Sequence, residues 1–190
     1  MNTKRIAIFA SGGGSNAIKL LDYFEDSKNA EVVVLLTNNE RAGVLDKTAD
    51  RVDQMIINNE GANDGEFLVE SMKELGVDFI VLAGYLRKIP NELIQAYPER
   101  IINIHPALLP KYGGKGMYGM NVHHAVFANK EKESGMTVHL VNEVYDDGKI
   151  LAQYKVEIAP EDNAETIQKK VLALEHQYFS EVVENYIQNH

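Results

Sequence analysis

Cysteine is absent from the 190-residue chain, which removes disulfides and thiolate metal sites from consideration. Long apolar runs are missing too: no stretch approaches the roughly 18 uninterrupted apolar residues of a membrane-spanning helix. Positive charge is scarce. Nineteen Lys and Arg stand against 28 Asp and Glu, a formal net charge of -9, so a protein that grips a nucleic-acid backbone through a basic face is disfavoured. A local basic pocket for one phosphorylated small molecule is compatible with that balance. Met1-Asn2-Thr3-Lys4-Arg5 leads straight into a strand-like run with no long apolar segment, so no signal peptide is expected. What remains, 45% hydrophobic and 25% charged residues, is ordinary for a soluble globular protein, and a cytoplasmic location is the expectation. The length suits one domain, 1–190, with a sizeable core.

The most informative stretch is Ile101-Ile102-Asn103-Ile104-His105-Pro106-Ala107-Leu108-Leu109-Pro110-Lys111-Tyr112. Asn103 and His105 alternate with apolar residues, which puts both side chains on one face of a strand. Pro106 then ends the strand, because it brings no N–H for another ladder bond. An Asn amide beside a His offers a hydrogen-bond donor for a developing oxyanion and a proton that moves near neutral pH. An N-x-H at a strand end is equally compatible with a histidine satisfied by backbone partners.

Along the chain, Arg5 to Ala10 reads as a buried parallel strand, followed by Ser11-Gly12-Gly13-Gly14-Ser15-Asn16 and an amphipathic helix from about Ser15 to Glu25, with Ile18, Leu21, Tyr23 and Phe24 as core candidates. Strand, glycine loop and helix N-terminus make an anion site of backbone N–H groups. Gly12-x-Gly14-x-x-Ala17 fits a dinucleotide fingerprint, but the next strand, Glu31 to Thr37, ends in Asn38-Asn39 without the acidic residue that reading needs. No Gly-Lys-Ser/Thr follows the glycines, as a Walker loop requires. A monophosphate cradle needs only N–H groups, a hydroxyl and an amide, which Ser15 and Asn16 supply; a turn with no ligand also fits.

Further elements alternate helix and strand. Ala42 to Arg51 is a helix and Gln54 to Ile57 a short strand. Glu66 to Leu75 is a helix, with Phe67, Val69, Met72 and Leu75 at helical spacing and Gly76 as its left-handed cap. Asp78 to Ala83 is a strand running into Gly84-Tyr85-Leu86-Arg87-Lys88-Ile89-Pro90, where Pro90 suits the first turn of a helix Asn91 to Tyr97. Such β-α repeats imply a mostly parallel sheet, whose ligands collect beyond the carboxyl ends of the strands. Gly12 to Asn16, Gly84 to Ile89 and Asn103 to His105 all fall at such ends.

After the glycine-rich stretch 113–120, a lid or a plain connection, Asn121 to Asn129 reads as a helix carrying His123 and a solvent-facing His124. Ser134 to Asn142 and Ile150 to Ile158 alternate as two antiparallel strands around an acidic turn, Glu143 to Gly148. Asp162 and Glu165 resemble a capping box opening a last helix, in which Ile167, Val171, Leu174, Tyr178, Val182 and Tyr186 recur at helical spacing. His105, His123, His139 and Asp146 contain no H-E-x-x-H pair, so a metal is not expected. The fold class predicted is α/β: a Rossmann-like three-layer sandwich with a mostly parallel sheet, an antiparallel C-terminal addition and a long C-terminal helix.

Gly14-Ser15-Asn16, Leu82-Ala83-Gly84-Tyr85-Leu86-Arg87, Asn103-Ile104-His105-Pro106-Ala107-Leu108-Leu109-Pro110 and Asp146-Asp147-Gly148 together resemble the 10-formyltetrahydrofolate-dependent formyltransferases in order and spacing. The resemblance covers nearly the whole chain, and Gly-Ser-Asn at the first turn points to the branch acting on glycinamide ribonucleotide in purine (IMP) biosynthesis. It implies a catalytic trio of Asn103, His105 and Asp146. It implies a substrate-phosphate loop of Gly14, Ser15 and Asn16, with Glu175 touching the ribonucleotide. Leu86, Arg87, Lys88 and Ile89 would receive the folate, together with Asn103 and the turn Asn142, Glu143, Val144, Tyr145 and Asp146. The first hundred residues would then hold the nucleotide, and the rest the folate and the chemistry. Many members carry an Arg in the turn before the third helix; here Asp64-Gly65-Glu66 stands instead. The implied cosubstrate is 10-formyltetrahydrofolate with no metal, in a monomer or homodimer without nucleic-acid or membrane partners. Formyl transfer to another amine, such as a nucleotide sugar, and non-catalytic folate or nucleotide binding are the alternatives.

Overall fold

The computed structural model describes residues 3–190. Strand β1 (Lys4–Phe9), helix α1 (Ser15–Phe24), strand β2 (Ala30–Thr37), helix α2 (Gly43–Thr48) and strand β3 (Gln54–Ile56) come first. A 3-10 turn (Gly61–Asn63) leads to helix α3 (Gly65–Glu74), strand β4 (Phe79–Leu82), helix α4 (Asn91–Ala96) and strand β5 (Ile101–His105). Helix α5 (Met120–Ala128), strands β6 (Glu133–Leu140) and β7 (Ile150–Glu157) and helix α6 (Ala164–Gln188) follow. All seven strands form one sheet in the order β3-β2-β1-β4-β5-β6-β7. β1 to β5 pair in parallel, whereas β6 and β7 are antiparallel additions. The order reverses between β1 and β4, and at such a switch point the loops leave the sheet in opposite directions and open a crevice.

Helices cover both faces. Ile6, Ile8, Phe79, Val81, Ile102 and Ile104 pack toward α1, α5 and α6, while Ala7, Phe9, Ile80, Leu82 and Ile101 pack toward α3 and α4. This two-sided burial is why β1 and β4 read as unbroken apolar runs. Phe9 and Phe79 are fully buried, and truncating either to Ala costs about 3–5 kcal/mol. At the end of α3 the N–H of Gly76 donates to Lys73 and that of Val77 to Met72, with Gly76 at φ 63. The expected glycine cap is there, closing the helix as a Schellman motif.

Helix phase differs from the sequence reading in places. Tyr23 and Phe67 are exposed; α3 buries Met72 as expected, with Leu68 beside it in place of Phe67. A one-residue error in phase turns a helix by about 100°, and in these short helices an aromatic on the polar face carries as much apparent hydrophobicity as the core stripe. Pro90 precedes α4 with ψ 146 and lies just outside it. The capping box of α6 is Asn163 with Thr166, each side chain accepting from the other's backbone N–H, and not Asp162 with Glu165. Asp162 instead accepts from the Ala159 N–H and Lys170. Its carboxylate is engaged by a loop N–H and a helix Lys, which leaves Asn163 to satisfy the first turn.

Candidate functional site

The glycine loop after β1 needs glycine at its last position. Gly14 sits at φ 70, a region that costs an L-residue about 1–2 kcal/mol, and a Cβ there would collide with Val44. With Gly14 as N-cap, no side chain caps α1, so its first N–H groups remain available to an anion. Ser11, one turn earlier, ties the strand ends together. Its N–H donates to Gly84 (3.1 Å), its hydroxyl to Asn38 (2.7 Å), and its oxygen accepts from the Leu86 N–H (3.0 Å). The loop after β4, which carries Leu86 to Ile89, is therefore fixed against the loop after β1.

Asn103 and His105 emerge from β5 as the alternation required. Asn103 pairs across the ladder with His139 of β6, and its Nδ2 lies 3.0 Å from His139 Nε2. His139 Nδ1 is 2.8 Å from the Leu140 carbonyl. A carbonyl only accepts, so Nδ1 carries the proton and, in the neutral ring, Nε2 accepts from Asn103. That uses one N–H of the Asn103 amide and leaves the second free.

The same logic assigns His105. Its Nε2 is 2.8 Å from the Tyr112 carbonyl and must be the N–H, while Nδ1 lies 3.7 Å from Asp146 Oδ1. Asp146 Oδ1 is also 3.6 Å from His139 Nε2, and Oδ2 accepts from the Gly114 N–H at 2.8 Å. Asp146 itself sits at φ 54, held in a left-handed conformation by these partners. Gly113 permits the close approach: a Cβ there would press on the Leu109 side chain at 2.6 Å and on the Asp146 Cβ at 3.1 Å.

Burial and charge compete at His105. An adjacent carboxylate favours a charged imidazole, and Asp146 does pull His105 that way, but burial outweighs it and the His105 pKa lies below the ordinary 6.5. His105 is 4% exposed. In the free protein it is a neutral imidazole presenting an unprotonated Nδ1, not the imidazolium donor that proximity alone suggests. Burial pushes Asp146 up, but the neighbouring His139 and His105 rings and the Gly114 N–H together outweigh it and leave its carboxyl below the usual range, so it stays ionised.

At the other end Asn16 Nδ2 donates to Glu175 Oε2 at 2.6 Å. Burial drives Glu175 up to about 7, against the lowering effect of Asn16, and Asn16 Oδ1 is buried without a partner. A polar pair so poorly satisfied in a cavity wall is suited to groups arriving with a ligand.

One cavity of about 480 Å³ joins these groups. Asn16, Glu175, Leu86 to Ile89, Asn103, His105, Asn142, Val144, Tyr145 and Asp146 line it, as do 114–120. Gly14, Ser15 and Glu143 do not contribute to its wall. Ser15 is exposed at the start of α1 beside Asn16, so the loop reaches the cavity through Asn16. Gln168 and Leu172 of α6 also line the cavity and were not foreseen. With Glu175 they share one helix face at spacings of four and three, and an apolar Leu172 off the main core stripe is the sequence signal for it. Leu86, Val144 and Tyr145 are exposed apolar rim residues, and Lys88 Nζ stands 5.8 Å over the Tyr145 ring. Among the described residues, no three His, Cys, Asp or Glu side chains are grouped to hold a metal ion, and no helix is long and apolar enough to cross a membrane.

Comparison with known proteins gives the family. The family described as Formyl transferase matches residues 4–183. A chloroplastic phosphoribosylglycinamide formyltransferase of Arabidopsis thaliana is 45% identical over 188 residues, covering 95% of this chain and 64% of its own length. A Vigna unguiculata protein of the same description is 42% identical over 187 residues, 60% of its length. The chain thus spans less than two thirds of these plant relatives. The phosphoribosylglycinamide formyltransferase of Bacillus subtilis (strain 168) is 34% identical, with 95% of this chain and 93% of that protein covered. Among solved structures, phosphoribosylglycinamide formyltransferase from Bacillus halodurans superposes with a TM-score of 0.86 at 34% identity, covering 96% of this chain and 94% of that one. Glycinamide ribonucleotide transformylase 1 from Symbiobacterium toebii gives 0.90 at 28% identity, covering 99% and 89%. From the match over residues 4–183 and the relatives that are covered almost in full, the chain belongs to the formyl transferase family.

Proposed function

We propose that this chain transfers the formyl group of 10-formyltetrahydrofolate to the primary amine of glycinamide ribonucleotide, giving formylglycinamide ribonucleotide and tetrahydrofolate, in purine biosynthesis. The observation that carries the chemistry is His105 with its Nε2 bonded to the Tyr112 carbonyl, which leaves Nδ1 facing Asp146 beside a free Asn103 N–H. The named relatives support the choice of substrates.

The amine nitrogen attacks the formyl carbon, forming a C–N bond and turning the formyl oxygen into an oxyanion. The second N–H of Asn103 donates to that oxygen; a donor of this kind is worth about 2.7–4 kcal/mol. His105 Nδ1 accepts the proton that the attacking amine must lose. The imidazolium so formed is stabilised by Asp146 on one side and the Tyr112 carbonyl on the other. The proton then passes to N10 of the folate as the C–N10 bond breaks, which returns His105 to its starting state. No covalent enzyme intermediate is required.

In this reading Gly14, Ser15 and Asn16 hold the substrate phosphate through N–H groups at the start of α1, and Glu175 receives a donor group of the ribonucleotide. Leu86, Arg87, Lys88 and Ile89 flank the folate on one side. Asn142, Glu143, Val144, Tyr145 and Asp146 flank it on the other, with apolar surface from Leu86, Val144 and Tyr145. The test is an assay of purified protein with glycinamide ribonucleotide and 10-formyltetrahydrofolate, together and singly. Tetrahydrofolate formed only in the presence of both is the expected result. Release of tetrahydrofolate without the nucleotide would make the protein a hydrolase, and folded protein inert to both would overturn the reading.

A further inference from the structure

We infer that Glu131 and the Tyr112 hydroxyl are positioning groups: by anchoring the Tyr112 phenol, Glu131 fixes the backbone segment that holds His105 and Asp146 in register. This rests on the role proposed above for His105. Neither residue lines the main cavity, so both would act through the backbone.

The segment 112–114 grips both reacting side chains. The Tyr112 carbonyl takes the His105 Nε2–H at 2.8 Å, and two residues later the Gly114 N–H donates to Asp146 Oδ2 at 2.8 Å. Three residues therefore set the His105 tautomer and the place of its counter-ion together. Tyr112 adopts φ 56, a left-handed conformation that persists for a non-glycine residue only where its surroundings over-determine it.

Tyr112 packs in part against the main core, but its other side is open. Tyr112 borders a second cavity, of about 280 Å³, lined also by Lys111, Glu131 and Ser134. Across that opening the Tyr112 hydroxyl donates to Glu131 Oε1 at 2.9 Å, and Lys111 Nζ donates to the same oxygen at 3.0 Å. Adjacent residues are thus tied to one carboxylate. Lys111 is largely exposed, and an exposed ion pair restrains little; the phenol–carboxylate bond is charge-assisted and less exposed. Glu131 is itself placed by the chain reversal at Lys130 (φ 52) and by its N–H donating to Val126. A half-buried acidic residue past the end of α5 is in this way connected to the reacting imidazole through a phenol and a peptide carbonyl.

The consequence has a sign. The Tyr112 carbonyl favours the charged form of His105, so loosening it makes the imidazolium harder to form. Asp146 from the turn before β7, His139 from β6 and His123 from α5 also act on His105 or are acted on by it, and all are unchanged in the variants. Three variants test the proposal: Tyr112→Phe, Glu131→Ala and Glu131→Gln. Misplacement of a reacting group by about 1 Å costs on the order of 100-fold. For Tyr112→Phe and Glu131→Ala we expect kcat to fall by about 10- to 100-fold, with both KM values nearly unchanged. The acid limb of the kcat/KM profile should move to lower pH. Glu131→Gln keeps an acceptor for the phenol and should recover most of the activity.

Imidazole ¹⁵N–¹H spectra of histidine-labelled protein give a readout independent of turnover, with His105 assigned by its absence in His105→Ala. Loss of a single Nε2–H tautomer in Tyr112→Phe and Glu131→Ala, but not in Glu131→Gln, is expected. A wild-type His105 spectrum and wild-type pH profile in both disruptive variants would overturn the proposal. Equal losses in Glu131→Ala and Glu131→Gln, with the His105 signal unmoved, would do so too, by reducing Glu131 to a stability role. Wild-type protein that turns over neither substrate would defeat the proposed reaction, while the spectra would still decide the positioning role.

Discussion

His105 donates its Nε2 proton to a backbone carbonyl, which leaves Nδ1 as the one ring nitrogen able to receive another. Replacing it with Ala should lower kcat/KM by about 10²–10⁴-fold, the range for a lost general base, in protein that still melts cooperatively. Activity near that of the wild type would sink the mechanism. Because burial holds its pKa below 6.5, the acid limb of kcat/KM should also lie below that value; a limb above it would mean that Asp146 dominates after all. Asp146→Asn keeps an acceptor for the Gly114 N–H but removes the charge that stabilises the imidazolium. It should depress turnover at neutral pH and leave nucleotide affinity, read by calorimetry, largely intact. Abolished nucleotide binding would show that Asp146 had been given the wrong task. Glu175 allows a thermodynamic check. Its pKa in the folded chain is about 7 against an ordinary 4.5, so the folded state holds the proton more tightly. Stability from this group is full below pH 4.5 and lost as pH rises through 7. Glu175→Gln should thus be more stable than wild type at pH 8, by up to about 3 kcal/mol, and nearly equal to it at pH 4. Denaturation curves with a pH-independent difference would rule this out.

At the scale of elements, the strand ends were the legible part. Gly12 to Gly14, Gly84 and Pro106 interrupt apolar runs, and a parallel sheet sends such interruptions to one edge. Asn103 and His105 were legible because strand alternation leaves no choice of face. Helix phase in α1 and α3 was less so, since Tyr23 and Phe67 are hydrophobic by type and exposed in fact. Least legible were the partners that finish the site. The Tyr112 carbonyl and the Gly114 N–H are backbone groups, which every residue carries, so no residue type announces them. Burial of His105 could not be weighed against the Asp146 charge without coordinates. The glycine loop gives this scale its own prediction. Gly14→Ala forces Ala to φ 70 and drives its Cβ into Val44. It should destabilise the protein by about 2–4 kcal/mol and raise KM for the nucleotide by tilting the start of α1. Gly12 has no neighbour within 4 Å of a built Cβ, so Gly12→Ala should stay within about 0.5 kcal/mol of wild type. Equal effects of the two substitutions on melting would mean the loop is not constrained as described.

For the whole molecule the acid side of the stability curve is set partly by His123. It is 3% exposed, its Nδ1 has no partner, and burial lowers its pKa to about 4. The unfolded chain binds that proton more tightly, so stability falls as pH drops from 6.5 toward 4, by about 3 kcal/mol from this residue. His123→Leu should flatten the loss between pH 7 and 4 measured by denaturant titration; an unchanged slope would place the acid sensitivity elsewhere. The closing contact of the fold has a temporal side as well. Asn16 and Glu175 are 159 positions apart, and they meet only after α6 has packed across α1, β6 and β7. During synthesis from the N-terminus, the loop after β1 leaves the ribosome long before its partner exists. The two ends of the chain must find each other in a late, non-local step, of the kind that slows folding. A nascent chain halted before α6 would expose the sheet face that Ile167, Val171 and Phe179 cover. Competence to bind the nucleotide should therefore arrive only after the last helix has left the exit tunnel.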